Sequence, residues 1–449
     1  MLPSPTAITF ALAITLLPAA VLAVPDAGNA SAIAIAGASA ISTPAAYAGQ
    51  SAPDLPPFDR VLAALAELPS VRAAQYVHGA QQANRDALVI GTQEWQLRSS
   101  VTRRSVSGLG VADQAGQFGE WELAAERPWR SAAKAAIDRR IGDAAVSHAE
   151  NGVGDAVHEA ARELLRRWFE LRRANGHAET LRAHRALWSQ TRVAVARRLE
   201  AGDAARLDLD LAEAGVADAD ARLAEAEGRA ARARVDFDRA YPPLAGSIPA
   251  GRCQPRQDDL ALTDYLGRIR AEHHEIAMAQ ADLDRRVQVA ERLRADEHPD
   301  PTIGLRLASE RGGAEHLAGI VLTLPLGGGS RSAATRSALA EAEAAREHLE
   351  WVRRRVQGDV AGLVASQQGS YRAWLASSSS AERFAAAAAR GERAYLLGEA
   401  GLGELLASRR LEQEALLAED GMRNEACELF YRLRLDTHAL WPLDAADHP

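Results

Sequence analysis

Three short stretches of the chain alternate between apolar and polar residues. Residues 95–101, 303–307 and 320–324 place mostly apolar side chains at every second position, with mostly polar or small residues between them. A period of two is typical of a β-strand with one apolar face and one polar face. Segments rich in glycine and charge, at 108–116 and 310–315, provide the turns and predict two hairpins of two strands each.

Long segments rich in alanine, arginine and glutamate predict helices around these strands. In each half, the pattern predicts a helix, two strands, a very long helix that ends at a glycine, and a shorter helix running back. The predicted helices are Pro57–Gly91, Ser131–Ala201 and Arg206–Tyr241 in the first half, and Asp258–Asp296, Arg331–Leu397 and Leu402–Leu435 in the second. Gly152, Gly154 and Asn175–Gly176 interrupt the first long helix and predict a bulge or bend near its middle.

The chain contains an internal duplication. Arg130–Ala133 recurs as Arg331–Ala334, and each copy follows a proline. Gly202 and Gly398, the glycines at which the two long helices end, follow these prolines at nearly the same distance along the chain. Together with a predicted signal peptide at 1–48, the duplication divides the chain into a first repeat at 49–241, a linker at 242–257, a second repeat at 258–437 and a tail at 438–449.

The first 48 residues have the features of a targeting segment. They contain no lysine or arginine, and the apolar run Ile8–Val24 includes Pro18. Ala46–Ala48 fits an A-x-A cleavage site, with Val21–Ala23 as an alternative. A membrane anchor is the other interpretation, although the run is short for a span of about 20 residues.

Composition argues against nucleic-acid binding and leaves the state of the two cysteines open. The net charge of −8 over 449 residues, with little lysine, provides no basic surface of the kind that binds nucleic acid. Cys253 and Cys427 are far apart in sequence. They form either one disulfide in an oxidising compartment or two unpaired thiols.

Catalytic and metal-binding motifs are not evident in the sequence. His273 and His274 are adjacent and therefore point from different faces of a helix, with no cysteine or HxxxH partner nearby. Gly327–Ser330 is followed by no Gly-Lys-Ser/Thr, so a strand-to-helix turn explains it better than a phosphate loop. We therefore expect no enzyme activity, no cofactor and no metal site.

The lengths of the elements favour an assembly over a single globular domain. A helix of about 70 residues extends about 105 Å, and the two shorter helices of one half can stack end to end beside it. Arg206–Tyr241 carries two rows at heptad-like spacing, one with Leu207 and Leu211 and one with Leu209 and Val216, so it can pack on two sides. Four strands cannot close a barrel in lipid, whereas three copies would supply about 12. The strands fit a half-buried soluble hairpin equally well.

Residues 55–440 resemble the TolC family of outer-membrane efflux proteins. Pro299–Arg306, followed by Glu310–Gly313 and Leu324–Gly328, is similar to the second-half hairpin of its CzcC-like, heavy-metal branch. The resemblance implies a mainly α fold whose duplicated helical hairpins form a trimeric α-barrel, with four strands per chain in a 12-stranded transmembrane β-barrel. It also implies a homotrimer in outer-membrane lipid that extends into the periplasm, and docks onto a periplasmic adaptor and an inner-membrane resistance-nodulation-division pump.

The family's two periplasmic tips resemble Gly202–Asp208 and Arg393–Leu406. By this resemblance, the residues expected to contact the adaptor are Gly202, Asp203, Leu207, Gly398, Glu399 and Leu402. Asp208 and Glu404 match acids at the narrow periplasmic mouth, where a ring of carboxylates would favour cations. The alternative is that these acids only stabilise a helix N-terminus. Ala400 stands where family members often carry a basic residue that locks the mouth.

Three functions are consistent with these observations. The first is a passive exit duct of a tripartite efflux system for heavy-metal cations, and the second is the same duct for drugs or secreted small molecules. The third is a periplasmic coiled-coil adaptor or structural protein, which would normally carry one helical hairpin and not a duplicated strand-and-helix unit.

Overall fold

The computed structural model describes residues 54–91, 93–107, 116–247, 251–257, 261–441 and 443, with the side chains of 270–272 excepted. The expected signal peptide and most of the first hairpin turn lie outside these residues. Among the described residues, no helix combines the length and the apolar character that crossing a membrane requires.

The elements follow the predicted order in both halves. The first half contains α1 Phe58–Ala66, α2 Pro69–Ile90, β1 Gln96–Val106, β2 Gly116–Pro128, α3 Ala132–Glu200 and α4 Arg206–Ala240. The second half contains α5 Leu262–Glu272, α6 His274–Asp296, β3 Thr302–Glu310, β4 Glu315–Thr323, α7 Gly329–Leu396 and α8 Leu402–Asp436. The mainly helical, duplicated fold is therefore confirmed.

The first helix of each half is two helices, so the predictions of one helix over Pro57–Gly91 and one over Asp258–Asp296 are wrong. Pro69 is the first residue of α2, and Leu68 before it has an extended backbone, because proline disfavours a helical residue directly before it. In the second half His273 has an extended ψ of 117° and separates α5 from α6.

Helix α3 runs without interruption over 69 residues, so the glycines near its middle do not end the helix, and a bend there stays a prediction. Two of its glycines lie where the side chain of another helix approaches closely. A β-carbon at Gly154 would overlap the His274 ring, and one at Gly176 would come 2.6 Å from Oδ2 of Asp420. The glycines permit close packing, which a sequence pattern cannot distinguish from a bend.

The four strands form one antiparallel sheet in the order β1-β2-β3-β4. Leu97, Ala125, Leu305 and Ile320 are aligned across all four strands. Leu97, Leu305 and Ile320 are 72%, 62% and 79% exposed, so this face of the sheet is apolar and uncovered in the single chain. The predicted period-two strands are confirmed.

The opposite face of the sheet is charged. Arg104 pairs with Glu120 at 3.1 Å and with Glu310 at 3.4 Å, and Arg306 pairs with Glu122 at 2.9 Å. Each pair connects neighbouring or nearby strands across this face, so the two faces differ sharply in polarity.

The helices pack side by side in one layer. Nearer the sheet the packing order is α2-α3-α6-α7, and farther from it the order is α4-α3-α8-α7. The two shorter helices of each half thus stack along the long helix, as the sequence predicted. The layer ends with α2 and α4 at one edge and with α7 at the other.

A thicker core lies where the connecting segments cross the helices. Trp168 and Phe169 of α3, Phe237 of α4 and Tyr431 of α8 are buried there. Cys253, in the segment between the two halves, forms a disulfide with Cys427 of α8. The structure therefore decides the open question about the two cysteines in favour of the disulfide.

Candidate functional site at the helix tips

Gly202 and Gly398 end the two long helices in the same way. Their φ angles are 77° and 76°, in the left-handed region that glycine tolerates best. At the first tip Gly202 N–H donates to Leu199 and Asp203 N–H donates to Arg198. The amides of Gly398 and Glu399 make the equivalent pair of bonds at the second tip, so both tips are Schellman motifs.

An arginine ties the two tips together. Arg198 Nε donates to Oδ2 of Asp203 at 2.9 Å, and its Nη1 donates to the carbonyl oxygen of Tyr395 at 3.2 Å. The guanidinium also lies 4.7 Å from the centre of the Tyr395 ring. The hydrogen bond with Asp203 raises the pKa of Arg198, so this guanidinium stays charged. Asp203 therefore positions the tips, whatever else it contacts.

The leucines of the tips differ in what they expose. Leu207 is 65% exposed, whereas Leu402 is only 5% exposed and packs with Val195, Leu209 and Leu405. Leu402 is therefore not available on the surface of the chain. Leu396 and Leu397, directly before the second tip glycine, are each 67% exposed.

Sequence reasoning missed these last two leucines because it treated them as part of the helix interior. The signal was present, since they lie in the last turn of a helix directly before a glycine. With Leu207, they form an exposed set that we call the tip leucines: Leu207, Leu396 and Leu397.

Asp208 and Glu404 occupy equivalent places in the first turn of α4 and of α8. Asp208 accepts a hydrogen bond from Ala205 N–H at 3.1 Å, and Glu404 accepts one from Gly401 N–H at 3.3 Å. Each carboxylate thus satisfies an amide at a helix N-terminus, where the helix dipole also favours negative charge. The structure thus shows the helix-stabilising role of both acids. Both carboxylates also lie beside the tips.

Three histidines meet away from the tips, although the sequence predicted no metal site. His158 of α3, His274 of α6 and His438 after α8 place one ring nitrogen each within 4.8 Å of one another. Sequence reasoning considered His274 only with its neighbour His273. No local spacing could have indicated the cluster, because its members come from three distant segments.

The chain matches no protein-family model and no curated protein sequence. Its fold is nevertheless similar to that of solved outer-membrane proteins. The outer membrane protein VceC from Vibrio cholerae is 18% identical with a TM-score of 0.69, and the match covers 85% of this chain and 95% of VceC.

Two further structures give the same result. The outer-membrane channel OprN is 20% identical with a TM-score of 0.70, over 85% of this chain and 89% of OprN. The open state of the MtrE outer membrane channel from Neisseria gonorrhoeae is 16% identical with a TM-score of 0.67, over 85% and 89% of the two chains. The chain therefore has the fold of these channels over nearly their whole length.

Proposed function

We propose that this chain is one subunit of a trimeric outer-membrane channel of the TolC family. It acts as the passive exit duct of a tripartite efflux system. The proposal rests mainly on the two open edges of the chain. In the part of the chain that the structure describes, β1 and β4 each pair with only one strand, and the helical layer ends at α7 on one side and at α2 and α4 on the other.

An open sheet edge cannot be left unpaired in lipid, so the sheet must close on other copies. Three copies arranged around an axis would join β4 of one chain to β1 of the next and give about 12 strands, within the known range. The same rotation would bring α7 of one chain beside α2 and α4 of its neighbour. Leu211 on α4, which is 44% exposed, belongs to the apolar row that faces away from α3.

The distribution of polarity supports the outer membrane as the location. The apolar face of the sheet suits lipid, and the charged face suits a water-filled interior. Trp95 and Trp129 lie just outside β1 and β2 at the helix end of the sheet, and each is 64% exposed. Aromatic side chains are enriched where a barrel meets the membrane surface.

The oligomeric state provides the first test. The chain should fractionate with outer membranes, require detergent for extraction, and have three times the mass of one chain by light scattering in detergent. A protein that is monomeric in detergent, or that is soluble without it, would contradict the proposal. A soluble coiled-coil adaptor or structural protein, the third function considered above, would give that second result.

We further propose that the tips dock onto a periplasmic adaptor, which connects the duct to an inner-membrane resistance-nodulation-division pump. Gly202, Asp203, Gly398 and Glu399 shape this surface, and the tip leucines supply its exposed apolar area. Leu402 is not a direct contact in this proposal, because it is buried.

Leu396→Glu and Leu397→Glu together test this surface. We expect export to fall more than about tenfold, because a charge replaces apolar area at the interface, while trimer formation and melting temperature stay unchanged. Leu326→Glu is the matched control, because Leu326 is 91% exposed near the opposite end of α7. Equal export by the tip variant and the wild type would remove the tip leucines from the docking surface.

For the exported material we propose heavy-metal cations, with drugs or secreted small molecules as the alternative. The resemblance of the second-half hairpin to the CzcC-like branch supports metals, as do the acids Asp208 and Glu404 beside the tips. Asp208→Asn with Glu404→Gln would remove the charge while keeping an oxygen that can accept the capping hydrogen bond. We expect the cation preference of single channels in planar bilayers to fall.

Deletion of the gene tests the cargo itself. Loss of tolerance to zinc, cobalt, cadmium or copper, restored by the wild-type chain, would support metals. Loss of tolerance to drugs alone would replace metals with the alternative cargo and would leave the channel proposal in place.

A further inference from the structure

Three imidazole rings form a compact group near the middle of the molecule. The centre of the His158 ring lies 5.0 Å from the centre of the His274 ring and 4.4 Å from that of the His438 ring. The ring centres of His274 and His438 are 5.6 Å apart. His158 is only 3% exposed. The group therefore joins a buried position on α3 to the start of α6 and the end of α8.

Two local features of the backbone make room for His274. The break at His273 makes His274 the first residue of α6, so its ring is not confined to a continuous helix surface. On the facing helix α3, position 154 is glycine, and any β-carbon there would overlap the His274 ring. Glycine in a helix interior costs about 1 kcal/mol relative to alanine, and here it creates the space for an imidazole.

His438 occupies a position where glycine is usually preferred. It donates its N–H to Leu435, and the next amide, of Ala439, donates to Arg434, which is the same hydrogen-bond pattern as at the two tips. At the tips this position is Gly202 or Gly398, whereas His438 has a φ of 54°. A side chain in this conformation is disfavoured, so a function of the imidazole would account for its presence.

The charges around the group are compatible with a bound cation. Arg162, which lies nearby, is held by Asp436 at 2.5 Å and by Glu159 at 2.5 Å. Burial raises the pKa of Asp155, while His274 and His158 lower it, which places this carboxylate within electrostatic range of both rings. Arg432 also lies 3.8 Å from Asp436, so three carboxylates face two guanidinium groups and the surroundings keep a net negative charge.

We propose that His158, His274 and His438 bind one divalent transition-metal ion of the zinc class, and that this ion ties the first half of the chain to the second. Imidazole nitrogens are preferred ligands for zinc, copper and nickel, at about 2.0–2.1 Å for zinc. The three nitrogen atoms lie within 4.8 Å of one another, so the side chains must rotate to bring all three to that distance from one ion. Water completes the tetrahedron. This ion is a structural cross-link and is separate from any cargo.

The test uses the full chain in detergent, purified without a histidine tag and stripped with a chelator. Zinc is titrated in competition with a fluorescent chelator, and melting temperature is recorded with and without zinc. His438→Gly and His274→Gln are the site variants. His438→Gly relaxes the positive φ, so it should fold at least as well as the wild type. His298→Ala, which alters an exposed histidine outside the group, is the matched control.

We expect one zinc ion per chain in the wild type and in the control, with a higher melting temperature when zinc is present. Each site variant should bind zinc more than about 100-fold more weakly than the wild type. Loss of a residue that only hydrogen-bonds to a metal ligand costs about 10- to 100-fold, so a larger loss indicates a direct ligand. Each site variant should also lose the zinc-dependent rise in melting temperature. No stoichiometric binding by the wild type would overturn the proposal. So would equal affinity in wild type and both site variants, which would place the zinc elsewhere.

Discussion

Glycines in the middle of helices have different roles at different residues of this chain. A β-carbon at Gly142 would lie 3.0 Å from the backbone of Arg85 on α2, whereas the nearest atom to one at Gly152 would be 3.9 Å away. Both glycines are in α3, and helix propensity alone predicts the same effect for both. Only the neighbouring helix distinguishes them.

We therefore predict opposite effects for two identical substitutions. Gly142→Ala should destabilise by about 1–3 kcal/mol, because α2 must move away from α3. Gly152→Ala should stabilise by about 0.5–1 kcal/mol, because alanine restricts the unfolded chain more than glycine does. Chemical denaturation of the two variants is the measurement. The same sign for both would mean that close packing at Gly142 does not decide the outcome.

A buried carboxylate on α8 provides a second prediction at this scale. Asp420 is 2% exposed, and its Oδ2 has no hydrogen-bond partner among the described residues. Burial raises its pKa, while the nearby His177, Arg252 and Arg423 oppose the rise and Glu419 adds to it. The charged form therefore costs stability, and the cost develops as the pH rises from about 3.9, the unfolded value, through the folded pKa.

Asp420→Asn should therefore stabilise the chain at neutral pH by about 1 kcal/mol, with a difference that shrinks toward pH 4. Glu163→Gln is a control of opposite sign. Hydrogen bonds from Arg166, with a smaller contribution from Arg167, lower the pKa of Glu163 to about 2, although burial acts in the opposite direction. The ionised Glu163 carboxylate therefore stabilises the folded chain above about pH 4.3, and this stabilisation is lost as the pH falls toward 2. Denaturation of both variants at several pH values separates the two cases.

At the scale of elements, the connection between the two halves is fixed to the body of the molecule. Besides the disulfide of Cys253, the carbonyl oxygen of Gly251 accepts from Arg172 at 3.1 Å and that of Arg256 accepts from Gln367 at 2.9 Å. Long helices with narrow seams provide little core of their own. The crossing segments therefore hold the two halves in register.

Replacing Cys253 and Cys427 with alanine should lower stability by about 2–4 kcal/mol, because the disulfide closes a long loop in the unfolded chain. The two cysteines are 174 residues apart. A reductant should lower the melting temperature of the wild type to about that of the double variant. The melting temperature of the double variant should not change with reductant. A wild type whose melting temperature is insensitive to reductant would contradict this role.

At the scale of the whole molecule, the single chain leaves uncovered the surfaces that an assembly would cover. The sheet has two open edges and an apolar face, and the helical layer has two open edges. A monomer in water would expose all of these at once, which favours a closed assembly in lipid.

Leu305→Arg should impair insertion, with a cost of about 2–4 kcal/mol if the residue lies near the middle of the bilayer. Thr102→Arg is the matched control, because it adds the same charge on the polar face, opposite Glu120. The measurement is the folded fraction after refolding into lipid vesicles. Equal impairment by the two variants would mean that the apolar face does not face lipid.

The sequence alone determined the order of elements, the duplication, the two tip glycines and the period-two strands. Apart from the duplication, which appears when the two halves of the sequence are compared, these features are local, because propensity, periodicity and a positive φ are properties of a few neighbouring residues. The family resemblance, and not a local pattern, pointed to Asp208 and Glu404 as mouth acids, and their channel role stays a proposal. The sequence also supplied the resemblance that named the adaptor contacts.

Tertiary structure decided the rest, because contacts between distant segments have no local signal. It buried Leu402 while leaving Leu396 and Leu397 exposed, and it joined Cys253 to Cys427. It also showed that Gly154 makes room for His274, which lies 120 residues farther along the chain. Which side chain fills the space beside a small residue is determined by the packing of whole helices.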